Sequence, residues 1–100
     1  MSMFGHPGEL KIPGDAKDNQ DAQEILRVWS SGEHQDFVVR YDIWEDPAAW
    51  GLLLVDVARQ VARAFHERGH NKEQVYHRIL EGFRVEAENP TDDPTGRIEQ

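Results

Sequence analysis

The 100-residue sequence contains no cysteine, which excludes both a disulfide framework and a thiolate zinc site. Positive charge is scarce: 11 lysines and arginines face 19 aspartates and glutamates, and the formal net charge is -8. This balance argues against binding to nucleic acid and against docking on anionic lipid. The longest unbroken apolar run, Leu52 to Val55, is far too short to cross a bilayer. With no signal-peptide pattern at its start, the chain is expected to be cytoplasmic.

The length leaves room for one domain, and both ends of the chain are polar. Residues 1–23 are rich in glycine, proline, aspartate, asparagine and glutamine, so they are predicted to form a polar arm. Residues 24–89 carry the apolar patterns of an α+β domain, and residues 90–100 form a polar tail. A core built from so few elements is marginal, and pairing with a second copy is a common remedy.

Two runs with alternating apolar residues predict an antiparallel hairpin. The first is EILRVWS, with Leu26 and Val28 on one face. After a turn around Gly32, the run DFVVRYDIW forms the second predicted strand. One face of this strand is expected to carry every second residue, namely Phe37, Val39, Tyr41 and Ile43.

Helical signals begin at Asp46 and Pro47, which suit the cap and the first position of a helix. At about 100° per residue, one side of this helix is apolar and is expected to face the core; it consists of Trp50, Leu53, Leu54, Val57, Ala58, Val61, Ala64 and Phe65. Gly69 is expected to end the helix in a left-handed conformation.

A second helix is predicted to begin after Asn71, with Gln74 completing a capping-box pattern. Its apolar side consists of Val75, Tyr76, Ile79, Leu80, Phe83 and Ala87. Gly82 interrupts this helix and is expected to let the two helices approach closely. Because the loop between the helices is short, they should form an antiparallel αα-hairpin. The predicted class is therefore α+β in two layers, with a β-hairpin packed on an αα-hairpin and open to extension by an N-terminal or partner strand.

The stretch His66-Glu67-Arg68-Gly69-His70 matches the H-E-x-x-H pattern of zinc peptidases. That chemistry needs both histidines on one continuous helix, with the glutamate as general base for a metal-bound water. Gly69 should bend the backbone before His70, so we favour solvent-exposed histidines over a catalytic site. His66, His70 and His77 remain candidates for metal binding, and a zinc-dependent hydrolase remains an alternative function.

Arg59 and Arg63 lie with Asp56 on the polar side of the first helix, because these positions are three to four residues apart. The two arginines could bind a carboxylate or a phosphate, so binding of a small anionic ligand is a further alternative. An exposed charged surface with weak ion pairs is the favoured interpretation.

Three tryptophans, Trp29, Trp44 and Trp50, lie in or beside the hairpin and the helix start. Burial in the core is the default for them, and a dimer interface is the competing interpretation. Leu52 and Val55 favour the interface, because they make the first half of the helix apolar most of the way round.

Several segments together resemble a known family: EILRVW, DIWEDPAAWGLLLVDVARQVARAF, GF and NPTDDPTG. The resemblance, which covers about Glu24 to Gly96, is to small bacterial proteins of the DUF5076 type, found mainly in alphaproteobacteria. It implies a stand-alone cytoplasmic domain with no assigned activity, and therefore no catalytic residues to carry over.

No nucleotide-binding glycine loop and no paired nucleophile and base are present in the sequence, so no cofactor and no catalytic residue are assigned. The leading hypothesis is a non-enzymatic interaction module that forms a homodimer. An enzyme is the less favoured interpretation.

Overall fold

A computed structural model of the chain describes residues 5–90 and 98–99. Strands β1 (Leu26–Ser31) and β2 (His34–Val39) form the expected antiparallel hairpin. Leu26 lies opposite Val39, and Val28 lies opposite Phe37, so these four apolar side chains share one face of the sheet. Gly32 opens the two-residue turn with a φ of 73°, a conformation that favours glycine.

The second strand ends earlier than the sequence pattern predicts. Its ladder closes with the bond from the Arg40 N–H to the Ile25 carbonyl, and Tyr41–Ile43 then forms a short 3₁₀ turn. The prediction that Tyr41 and Ile43 continue a strand face is therefore wrong. Alternation of apolar residues does not distinguish a strand from a turn that directs two of them to one side.

Two short elements in the polar ends carry no strong sequence signal. Helix α1 (Gly14–Asp18) is a single turn within the predicted arm. Strand β3 (Ile98–Glu99) pairs in parallel with β2, so the sheet order is β1-β2-β3. The hairpin is thus extended, among the described residues, by a strand from the C-terminal segment and not by the N-terminal one.

Helix α2 (Ala48–His66) begins as the sequence predicts. The Asp46 carboxylate accepts a hydrogen bond from the Ala48 N–H at 2.9 Å, which satisfies one of the free donors of the first turn. Pro47 already has helical dihedral angles.

The end of α2 also follows the prediction. Gly69 has a φ of 98°, the His70 N–H donates to the Phe65 carbonyl, and the Gly69 N–H donates to the His66 carbonyl. These two bonds are the Schellman pattern that terminates many helices. Helix α3 (Lys72–Glu88) then starts at Asn71, whose side chain accepts from the Gln74 N–H at 3.0 Å.

Helices α2 and α3 pack against each other as an αα-hairpin. Their contact is centred on Ala58 and Ala62, whose accessible fractions are 7% and 1%. These two alanines are the only residues classed as buried in the described part of the chain. Gly82 plays no part in the close approach, because a methyl group added there would meet no atom within 4 Å. That part of the prediction is wrong.

The α+β class, the hairpin and the helical pair are confirmed. Within the described residues, however, no Cα atom of any strand comes within 8 Å of a Cα atom of α2 or α3. The sheet is therefore not closely packed on the helical pair within one chain. None of the described helices is long and apolar enough to cross a membrane.

Candidate functional site

The Schellman turn after α2 separates the histidines of the H-E-x-x-H match. His66 lies in the last turn of α2, and its Nδ1 donates to the His70 carbonyl oxygen at 3.1 Å. The His70 ring stands edge-on to the Phe65 ring, with centroids 5.3 Å apart. It thereby supplies the apolar contact that accompanies this kind of helix end.

His77 lies on α3 and its ring contacts its neighbour Tyr76, with centroids 5.8 Å apart. In the described segments, no three histidine, aspartate or glutamate side chains converge as metal ligands would. The structure therefore gives the histidines of the HERGH turn a structural role at the end of the helix. His66, His70 and His77 do not meet around a common point.

The two arginines of the anion-site candidate contact different neighbours. The Arg59 guanidinium carbon lies 4.8 Å from the centre of the Tyr76 ring, which joins α2 to α3 by a cation–π contact. Arg63 Nη1 donates to Gln60 Oε1 at 3.2 Å within α2. These contacts are typical of a charged, exposed helix surface. They are less typical of two arginines that bind the same anion.

The three tryptophans occupy two separate places. Trp44 and Trp50 meet edge-to-face with centroids 5.2 Å apart, and Trp50 Nε1 donates to the Tyr41 carbonyl at 3.3 Å. This pair packs the connector between β2 and α2, residues 40–47, against the first turns of α2. Trp29 instead stands against the His6 ring of the arm, with centroids 4.9 Å apart.

The arm and strand β1 enclose a half-open cavity of about 890 Å³. Leu10 and Ile12 line it but remain 90% and 63% exposed, so the arm does not insert its apolar side chains. At its edge Arg27 pairs with Glu24, whose hydrogen bond and charge raise the pKa of Arg27. This exposed pair contributes little to binding or stability.

The main feature of the surface is apolar, and it lies on α2. The apolar side that the sequence predicts for the core is largely open, because α3 covers a neighbouring side of the helix. Four of its large residues are between 40% and 45% exposed, namely Leu54, Val57, Val61 and Phe65. Together with the half-buried Trp50 they form what we call the outer stripe of α2. The predicted core side is thus buried at Ala58 and half-buried at Trp50 and Leu53, whereas its other large residues remain partly exposed.

The side of α2 that α3 covers, which we call the inner side, consists of Val55, Ala58 and Ala62. Val55 is half-buried there, in line with the two alanines, whereas Leu52 is 70% exposed. The inner side is inconspicuous in the sequence because two of its residues are small. The signal that could have identified it is the spacing of Ala58 and Ala62, one helical turn apart, which permits close helix contact.

Comparisons with known proteins agree with this architecture. The family model described as Domain of unknown function (DUF5076) matches residues 9–91. A solved structure of a "putative pyruvate dehydrogenase" from the photosynthetic bacterium Rhodopseudomonas palustrus CGA009 is 33% identical. The match covers 95% of this chain and 98% of that chain, with a TM-score of 0.74. No curated protein matches the sequence.

Proposed function

The chain belongs to the DUF5076 family, and from that premise we propose that it is a non-enzymatic interaction module that works as a homodimer. The observation that carries this proposal is the incomplete core of the single chain. Only Ala58 and Ala62 are buried among the described residues, and the outer stripe of α2 remains open. An α+β domain normally buries one apolar face of each layer, and this chain leaves those faces partly in water.

The likeness to the Rhodopseudomonas structure extends over nearly the whole of both chains, so the two share a fold. The dehydrogenase name belongs to that protein and assigns no catalytic residue to this chain.

The acidic composition bears on the kind of partner that we propose. With a net charge of -8, the protein is unsuited to wrapping nucleic acid. The cytoplasm is the compartment we propose. The zinc-hydrolase and anion-binding alternatives have no specific observation in their favour, since their candidate residues contact different neighbours.

Sedimentation velocity of the full chain, from about 1 µM to about 100 µM, tests the proposal. We expect the sedimentation coefficient to rise with concentration from that of a monomer to that of a dimer, or to be dimeric throughout. A monomer over the whole range contradicts the proposal. A second run with equimolar zinc checks the alternative, because a metal-dependent change would return attention to His66, His70 and His77.

A further inference from the structure

The outer stripe of α2 has the geometry of a helix-pairing surface. Its five residues follow steps of four, three, four and four along the chain, from Trp50 to Phe65. At 100° per residue they fall within about 80° of arc, a narrow band of the kind that pairs with another helix. No charged residue lies within this band between its two ends.

Helix α3 does not cover this band. The inner side of α2, which contacts α3, is centred about 90° away around the helix axis. Its small residues let α3 approach closely, and Ala62 is only 1% exposed as a result. The outer stripe lies beside the contact with α3 and is available to a different partner.

The sheet of either copy is too short to cover the stripe. Its apolar face consists of Leu26 and Val28 on β1 and Phe37 and Val39 on β2, so it extends over only about 7 Å along each strand. The outer stripe runs over 16 residues of helix, or about 22 Å from its first residue to its last. A second α2 matches this length because it is the same helix.

Charge favours a second copy over an acidic or basic partner. Helix α2 carries Arg59, Arg63 and a single acid, Asp56, so its formal charge is +1 in a chain of net charge -8. Of the two long helices, α2 is the less negative one. Contact through α2 therefore keeps the acidic parts of the two molecules away from each other. Like-charge repulsion between the copies is therefore smallest for this surface.

We propose that α2 pairs in antiparallel orientation with α2 of a second copy, through the outer stripe, so that two αα-hairpins form a four-helix layer. This inference rests on the proposed homodimer and identifies its interface. Antiparallel pairing aligns the helix dipoles favourably. It also directs the two sheets to opposite ends, whereas parallel pairing would crowd them at one end.

Full overlap of the two stripes fixes the register. Trp50 then lies against the partner's Phe65, Leu54 lies against the partner's Val61, and Val57 lies near its own symmetry mate. The buried area falls at the lower end of specific interfaces, about 1,200 Å² in total, so we expect dissociation in the micromolar range.

The absence of cysteine makes disulfide trapping a clean test. Val57→Cys should form a disulfide-linked dimer under mild oxidation, and a mixture of Leu54→Cys and Val61→Cys proteins should yield mainly the mixed dimer, identified by mass. Opposed positions on paired helices come close enough for a disulfide, whereas distant ones do not. Val85→Cys, at a position 57% exposed on α3, is the matched control and should cross-link at least 10-fold more slowly.

Each outcome of the trapping experiment has a definite meaning. Self-linking of Leu54→Cys as fast as the mixed pair indicates parallel helices and overturns the antiparallel register. Rapid linking of Val57→Cys to Val28→Cys, on the sheet, overturns the helix-pairing surface while leaving the homodimer intact. If the unmodified protein sediments as a monomer, both the proposed homodimer and its proposed interface are wrong.

A second variant tests the same surface without cross-linking. Val61→Asp places a charge within the outer stripe, opposite the partner's Leu54, and should weaken dimerisation by about 100-fold or more. Val85→Asp is the control and should change the dimer constant less than threefold. Circular dichroism checks that both variants keep their helices. Equal dimer constants for Val61→Asp and the unmodified chain contradict the proposal.

Discussion

The two apolar sides of α2 differ in the size of their residues and in how much of each residue is exposed. The inner side presents small residues, Ala58 and Ala62, and is closed against α3. The outer stripe presents large residues, Leu54, Val57, Val61 and Phe65, and each remains more than a third exposed. In a monomer that had completed its core, the large side chains would be the buried ones, because they gain most from leaving water.

The proposed homodimer accounts for this inversion, because a second copy would cover the large residues. Small residues allow two helices to approach closely but bury little apolar area, so the αα-hairpin alone supplies little stabilisation. The larger gain is available only to whatever covers the outer stripe. Substitutions can separate the two sides, starting with the change expected to have the largest effect.

Two adjacent substitutions, one on the inner side of α2 and one on its outer stripe, should differ most clearly in their effect on the free energy of unfolding. Ala62→Leu adds bulk where the helices already touch, so we expect a loss of about 2–3 kcal/mol in the free energy of unfolding. Val61→Leu adds a methylene group to the open outer stripe and should change that free energy by less than about 0.5 kcal/mol. Urea denaturation at a protein concentration low enough for the monomer, where the outer stripe is open, measures both. Equal losses would show that the outer stripe is as tightly packed as the inner side.

The turn that holds α3 against the inner side depends on Gly69. Because its φ is 98°, Gly69→Ala should lower the free energy of unfolding by about 1–2 kcal/mol through backbone strain alone. Gly69→Asn is the control and should lose less, since asparagine tolerates positive φ better. Thermal denaturation followed by circular dichroism gives the ranking. An unchanged melting temperature for Gly69→Ala would mean that the hairpin does not need this turn.

Gly82 tests whether α3 has a second contact surface of its own. A methyl group there meets nothing within 4 Å, so Gly82→Ala should stabilise the protein by about 1 kcal/mol through helix propensity. The melting temperature should rise by about 4–8 °C for a domain of this size. A fall instead, accompanied by weaker dimerisation, would place Gly82 in an interface and would contradict the assignment of self-association to α2.

Local features of the fold could be predicted from the sequence because their hydrogen bonds close within a few residues. Asp46 caps α2, Asn71 caps α3, and Gly69 ends α2, each through partners at most five residues away. The hairpin turn at Gly32 has the same local origin. For the same reason the end of α2 at the glycine inside the H-E-x-x-H match could be predicted from the sequence alone.

Other features depended on distant parts of the chain and were missed. Strand β3 arises where Ile98 pairs with Phe37, a contact that no periodicity in a two-residue strand can signal. The early end of β2 at Val39 follows from the fold of the connector toward Trp50. The sequence pattern places interface candidates on α2 at Trp50, Leu52 and Val55, and their contact with a partner stays a prediction.

What the sequence determined by itself is the set of elements: where α2 and α3 begin and end, which residues are apolar, and that α2 has too many of them for one partner helix. What only the tertiary structure decided is which apolar side faces α3. Both sides of α2 satisfy the same helical period, and the rotation of a helix within a hairpin is set by close packing of its neighbour. Because the small inner residues allow the closer approach, α3 lies on them, and the large outer residues stay partly exposed.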